Sequence, residues 1–236
     1  MALNRLYEFK SVLLTAFIFL FVFSLMSGFK SQFLSTLAEK SSDNVSALIN
    51  KGLALAHLGN YIQAIQYYDK ALDIDPNNVD ALYNKGNALD SLGNHTQAIS
   101  YYDKVLDIDP NNVDALNNKG NALDNLGNHT QAISYYNKVL DINPNDSDTL
   151  NNKGNALDSL GNHTQAISYY NKVLDIDPNN VDALYNKGNA LDSLGNHTQA
   201  ISYYDKVLDI HPNDSDALNN KGDALAHLRL PITTKK

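Results

Sequence analysis

The sequence predicts an all-α solenoid of helix–turn–helix repeats, preceded by an N-terminal hydrophobic helix. Three observations predict it. The stretch Asn84–Asn112 recurs with small changes at a fixed step of 34 residues, marked by Gly52, Gly86, Gly120, Gly154, Gly188 and Gly222. A period of that size signals stacked supersecondary units. Each copy is cut by two breakers, as at Leu92-Gly93-Asn94 and Asp109-Pro110-Asn111, leaving runs of about a dozen residues, a common helix length. Within the runs the apolar residues recur at helical spacing.

Taken in order, the chain starts with Arg5 and Lys10, followed by Ser11 to Phe29 without a charge. The apolar centre Val12–Met26 makes residues 1–29 a signal or membrane-anchor segment. A helix of about 19 residues rises roughly 28 Å, close to the thickness of a bilayer's hydrocarbon. Leu25-Met26-Ser27-Gly28 is a poor cleavage site, which favours an uncleaved signal-anchor transmembrane helix over a secreted product. Lys30 and Lys40 follow the segment, and so weak a flanking bias leaves the orientation open. Residues 30–44 form a linker or capping helix, with Phe33, Leu34 and Leu37 available to cover the first repeat.

The array runs from 45 to 228, in units 45–78, 79–112, 113–146, 147–180 and 181–214 and a half repeat 215–228. In the first run of the second unit, Leu82, Gly86 and Leu89 share a face, with Ala81, Ala88 and Leu92 beside them. In its second run Ala98, Tyr101, Tyr102, Val105 and Ile108 form a similar stripe. Gly93 suits a left-handed helix end, Asn94 and Asn112 are candidate N-caps, and Pro110 cannot continue the helix before it. Asp114 suits the positive end of the next helix. Residues 229–236 are a tail in which Pro231 stops further helix, and the half repeat caps the array.

These residues resemble the tetratricopeptide repeat (TPR). The family's small positions match Gly86 and Ala98, its large apolar or aromatic positions match Leu82, Leu89 and Tyr102, and its late proline matches Pro110. Val105, Val139, Val173 and Val207 stand where alanine is usual. Lys85 and its equivalents Lys51, Lys119, Lys153, Lys187 and Lys221 stand where leucine is frequent. That position lies on the apolar stripe, so these lysines are expected to pack their stems and carry the ammonium to water or an aspartate. The resemblance implies a right-handed solenoid and a non-catalytic scaffold for protein–protein interaction.

The side of the first helix opposite the stripe holds Asp80, Tyr83, Asn87 and Asp90. Its matches are Asp114, Asn117, Asn121 and Asp124, then Asp148, Asn151, Asn155 and Asp158, then Asp182, Tyr185, Asn189 and Asp192. In the TPR family this resembles the concave, ligand-lining face, here an acidic, Asn-rich groove. Ser46, Ile49, Leu53 and Ala56 make its first end apolar. Between Val45 and Leu228 there are 23 Asp against 11 Lys, while the whole chain carries −8. Lysine and arginine are missing from the groove positions, so a basic or amide-rich extended peptide or protein partner fits better than an acidic tail. No basic footprint invites nucleic acid. Self-association of a structural repeat protein is the alternative.

No residue set reads as catalytic, and no cofactor or metal site is expected. Paired carboxylates come from acidic helix faces, and no nucleophile elbow or phosphate loop occurs. The chain has no cysteine. His95, His129, His163 and His197 each sit in the turn of a separate repeat, too far apart to share one ion. Asp73-Ile-Asp75-Pro-Asn77 begins like a calcium loop, but Asn78 and Asn84 stand where Gly and Glu are needed. Seven Asn-x-Ser/Thr sites, at Asn44, Asn94, Asn128, Asn145, Asn162, Asn196 and Asn213, would accept glycans in an exported protein. They agree with the leading segment on an extracytoplasmic location.

Overall fold

The structure, a computed structural model, describes residues 44–229. The expected anchor, and its linker as far as residue 43, lie outside the described residues, and Asn44 begins the first helix. Among the described residues eleven helices follow one another: α1 (residues 44–57), α2 (Tyr61–Ile74), α3 (Val79–Ser91), α4 (His95–Ile108), α5 (Val113–Asn125), α6 (His129–Ile142), α7 (Ser147–Ser159), α8 (His163–Ile176), α9 (Val181–Ser193), α10 (His197–Ile210) and α11 (Ser215–Arg229). Odd-numbered helices are the A helices of the repeats and even-numbered ones the B helices. Among the described residues there is no strand. No described helix is long and apolar enough to cross a membrane.

The turns explain why the helices stop where they do. At the A–B turn Gly93 takes φ 78°. Its N–H donates to the Asp90 carbonyl at 2.8 Å, and the Asn94 N–H donates to the Leu89 carbonyl at 2.9 Å. This pair of bonds satisfies two carbonyls left over by the helix end. At the turn between repeats the Asp109 carboxylate accepts from the Asn111 N–H at 3.1 Å, and the Asn112 side chain caps α5 by accepting from the Ala115 N–H at 2.9 Å. Asn78, Asp146, Asn180 and Asp214 do the same for α3, α7, α9 and α11. The expected cap at Asn94 does not form. Asn94, Asn128, Asn162 and Asn196 precede the B helices with ψ between 50° and 53°, and their side chains make no capping bond. The extended backbone that aims a cap side chain at the helix is not adopted there.

The core is a row of identical knobs. Tyr68, Tyr102, Tyr136, Tyr170 and Tyr204 are buried, each over the glycine of its own A helix. Ala81, Leu82, Gly86, Ala88 and Leu89 are buried on α3, and Ala98, Tyr102 and Val105 on α4. Two members of the expected stripes are not core. Leu92 is 40% exposed and Ile108 is 45% exposed, because both lie at helix ends where the chain turns away from its neighbours.

Stacking sets the curvature. α3 meets α5, α5 meets α7, α7 meets α9 and α9 meets α11, while no B helix meets the next B helix. The A helices are therefore the closer-packed, inner row, and the B helices splay along the outer side. Glycine on the A helix and a flat ring beneath it let the two helices of one repeat approach closely. Stability must reside in these interfaces, since the Asp- and Asn-rich helices are intrinsically poor.

Candidate functional site

The inner row carries the sequence-predicted groove residues, and the structure sorts them into three kinds. The first is free. Asp80, Asp114, Asp148 and Asp182 occupy the first turns of α3, α5, α7 and α9 and are exposed. Among the described residues none of the four forms an ion pair. The A-helix N-termini stabilise their charge.

The second kind is half-used. The Asn87 side-chain oxygen accepts from the Tyr102 hydroxyl at 2.8 Å and from Asn118 Nδ2 of the next repeat at 2.9 Å. Asn121 accepts likewise from Tyr136 and Asn152 at 2.9 and 3.0 Å, and Asn189 from Tyr204 and Asn220 at 2.9 and 2.9 Å. Asn155 accepts from Tyr170 at 2.9 Å. Each oxygen thus satisfies a buried phenol, which would be costly to leave unpaired. Among the described residues Nδ2 of Asn121, Asn155 and Asn189 makes no hydrogen bond to protein, whereas Asn87 also hydrogen-bonds Tyr83. The phenol behind each amide fixes its oxygen in place. One position further round, Asn118 also donates to the Tyr83 hydroxyl at 2.9 Å, and Asn220 to the Tyr185 hydroxyl at 2.9 Å. Where Tyr83 becomes Asn117 or Asn151, Thr149 and Asn186 supply the contact, at 3.1 and 3.4 Å.

The third kind is committed elsewhere. Asp90, Asp124, Asp158 and Asp192 hydrogen-bond Nδ1 of His95, His129, His163 and His197 at 2.7, 2.6, 2.6 and 2.6 Å. Each pair bridges the end of an A helix and the start of its B helix, and each aspartate is about three-quarters shielded. Sequence spacing placed these aspartates with the free ones because it reports which helix face a residue shares. It does not report what the following turn brings to that face. The four histidines are spread over four turns, and among the described residues no three metal-ligating side chains converge. Asp75 is spent inside its own turn, accepting from the Asn77 N–H at 3.3 Å and Asn78 Nδ2 at 3.2 Å.

Electrostatics follow from burial. The phenols of Tyr102, Tyr136, Tyr170 and Tyr204 are pushed well above the ordinary tyrosine value by burial, with nearby aspartates (Asp90, Asp124, Asp158, Asp192) adding to it. Burial also raises Tyr83, and the Asp114 charge adds to the rise against hydrogen bonds with Asn87 and Asn118.

The lysine row lies apart from this face. Lys119 and Lys153 are buried to 9% exposure. The Lys85 ammonium pairs with Asp69 of the preceding B helix and lies 4.4 Å from the Tyr101 ring centre, with Lys104 on the same ring at 4.6 Å. Lys119 pairs with Asp103, and Lys221 with Asp205 at 2.5 Å. Lys153 and Lys187 meet Asn137 and Asn171 at 2.5 Å. Burial alone would lower the pKa of Lys85 and Lys119; hydrogen bonds and charge from Asp69 and Tyr101, or Asp103 and Tyr135, outweigh it and leave both raised. The stems pack and the heads find partners across two repeats, as snorkelling side chains do.

At the apolar first end two adjoining hollows open. One, of about 430 Å³, lies between α1, α3 and α5 and is walled by Ile49, Leu53, Tyr83, Asp80 and Asp114. The other, of about 230 Å³, lies between α1, α2 and α3 and is walled by Leu53, Ala56, Tyr61, Tyr68, Asn87 and Ala88. Neither could be read from periodicity. The one signal was the replacement of the groove asparagine by Leu53.

Stacked helical hairpins with an inner row of A helices define a TPR protein, and solved structures agree. YrrB, described as a TPR protein with an unusual peptide-binding site, is 27% identical with a TM-score of 0.65, covering 80% of this chain and 97% of its own. MamA of Desulfovibrio magneticus RS-1, from residue 41 onward, is 24% identical with a TM-score of 0.68, covering 73% and 98%. TTC0263 of Thermus thermophilus, a thermophilic TPR protein, is 21% identical with a TM-score of 0.61, covering 77% and 99%. Residues 47–227 match a family of unknown function, DUF6944, and the chain belongs to that family. No curated protein matches it.

Proposed function

We propose that this TPR scaffold binds an extended, basic or amide-rich segment of a partner protein along its inner face. One observation carries the reading: four exposed carboxylates, Asp80, Asp114, Asp148 and Asp182, with no ion pair among the described residues, recur along the inner row beside the half-buried amides Asn87, Asn121, Asn155 and Asn189. The amides suit main-chain carbonyls, and the carboxylates suit Lys and Arg side chains. The peptide-binding site ascribed to YrrB supports a peptide ligand for a likeness of this identity. In this reading the array, units 45–78 through 215–228, is carried as a right-handed solenoid. It stands behind the 1–29 anchor and the 30–44 linker, tethered at a membrane by residues 12–29 and facing outside the cytoplasm, or secreted after cleavage. Asn94, Asn128, Asn162 and Asn196 are exposed and free of a capping role, which leaves them open to glycans there, with Asn44, Asn145 and Asn213 as further sites.

The test uses a fluorescein-labelled Arg/Lys-bearing peptide and its Glu counterpart against the full-length chain. Selective binding of the basic peptide that weakens steeply with salt, and weakens further in Asp114→Lys with Asp148→Lys, is expected. Equal affinity of both peptides, or a double variant that binds as well as the parent, refutes the groove. The second reading, self-association, has its own observation: Leu218 of α11 is 49% exposed, whereas its equivalents Leu82, Leu116, Leu150 and Leu184 are 1–2% exposed. Concentration-dependent light scattering that disappears in Leu218→Asp would favour it.

A further inference from the structure

Each B helix sits in a socket made by two A helices. Tyr102 and Val105 of α4 pack on Leu82, Gly86 and Leu89 of their own α3, and on Ala115 and Ala122 of the following α5. The first and last described A helices each keep one half of that socket open. On α11 Leu218 is exposed and Leu225 is half-buried, whereas their equivalents on α9, Leu184 and Leu191, are buried. An added Cβ at Gly222 meets nothing within 4 Å. α11 also runs through Arg229, the place at which Gly93 and Gly195 turn the chain with φ of 78° and 77°. On α1 the other half is open: Ala47 and Ala54 are exposed, whereas their equivalents on α5, Ala115 and Ala122, are fully buried. Both open halves are shaped for a B helix, and the sequence carries that pattern once more. Residues 27–44 stand two repeat lengths before residues 95–112. Phe33 and Leu34 take the places of Tyr101 and Tyr102, Leu37 that of Val105, and Asn44 that of Asn112; Lys30 in the place of Ala98 departs from the pattern. The Asn-Lys-Gly signature of an A helix does not precede this stretch.

We propose that copies of this chain join head to tail, with residues 27–40 of one copy lying between its own α1 and the open face of α11 of another. Leu34 takes the place of the ring over Gly222, and Leu37 meets Leu218 as Val207 meets Leu184. Leu218 and Leu225 leave water at the joint, which drives the association. The contact pairs unlike ends, so it is heterologous and propagates as a ring or a filament. The A-helix face that holds Asp114 and Asp148 lies outside the joint, so the peptide groove stays open in the assembly. The inference rests on the self-association reading and names the contact that makes it.

The chain has no cysteine, so introduced thiols report the contact without background, and only side chains that face each other closely can be bridged. Full-length Leu37→Cys and Leu218→Cys chains, purified in detergent, mixed and oxidised with copper phenanthroline, should give a disulfide-linked dimer that neither variant gives alone. Both substitutions in one chain should give a ladder of multiples that reductant collapses. Adding Gly222→Glu, at an exposed position with open space around it, should abolish both products while circular dichroism shows the fold kept; a link that survives it overturns the proposed seat. Leu37→Cys with Ala47→Cys in one chain should close within the chain, since Val105 and Ala115 adjoin. Closure there without any link to Leu218→Cys means that the segment covers only its own array, and overturns the joint. Dimers of either single variant alone mean that like faces pair; they overturn the joint and leave self-association standing. No link between chains, with a mass by light scattering that stays monomeric as concentration rises, overturns self-association and the joint with it.

Discussion

Substituting Gly120 by alanine adds one methyl group, and the structure says what it meets. A Cβ built there lies 2.6 Å from Cε1 of Tyr136, 2.9 Å from Cδ1 and 3.2 Å from Cζ. Carbon atoms rest at roughly 3.5–4.0 Å, so the ring must retreat by about 1 Å. It has nowhere to go: Tyr136 is 1% exposed and its hydroxyl is held by Asn121 at 2.9 Å. Overpacking of this kind costs about 1–3 kcal/mol. Replacing a mid-helix glycine by alanine returns about 1 kcal/mol of backbone entropy. The expected net is a loss of up to about 2 kcal/mol by these two terms. Gly222 occupies the same position in the half repeat, where no B helix follows among the described residues and no atom lies within 4 Å of the added carbon. Gly222→Ala should therefore gain about 0.5–1 kcal/mol. Urea unfolding followed by circular dichroism compares the two. Opposite signs are expected, with Gly120→Ala broadening the transition as the middle of the array uncouples. Equal shifts in the same direction would refute the claim that glycine is there to seat the ring.

Three further outcomes follow from the same geometry. Tyr136→Phe should cost about 1 kcal/mol through the lost hydrogen bond to Asn121; an unchanged urea midpoint would contradict that bond. Stability should be flat up to about pH 10 and fall above it. The raised phenols keep their protons in the fold and release them once unfolded, and the raised Lys85 and Lys119 act in the same direction. Urea midpoints read with tyrosinate absorbance from pH 8 to roughly pH 12 check this, and a midpoint that does not move would count against buried tyrosines. Asn137→Asp should add no more than about 1 kcal/mol by giving Lys153 a carboxylate at a half-exposed site, and that gain should fade in high salt; a larger, salt-independent gain would mean that Lys153 is not solvated there.

Legibility in the sequence divides along physical lines. The helices, their breakers and the paired small and aromatic residues are set by local rules, and each rule repeats in register. Gly93 announces a left-handed helix end, Pro110 a stop, and Gly120 with Tyr136 a close packing of two helices. The exposed aspartates at Asp80 and Asp114 were legible too, because an acidic residue in the first turn of a helix is a local signal. Asp90 was read with them, yet the turn brings His95 to it. Asn94 looked like a cap, but its backbone angles withhold the side chain from the helix.

The sequence by itself determined a TPR-type array, since periodicity is a property of each unit alone. Only the tertiary structure decided which polar atoms stay free. That depends on neighbours 15 to 35 residues away, as with Tyr102 and Asn118 on the oxygen of Asn87, or Asn118 on Tyr83. A side chain's partner is fixed by how one hairpin leans on the next, and that lean is a sum over many contacts that no single repeat encodes.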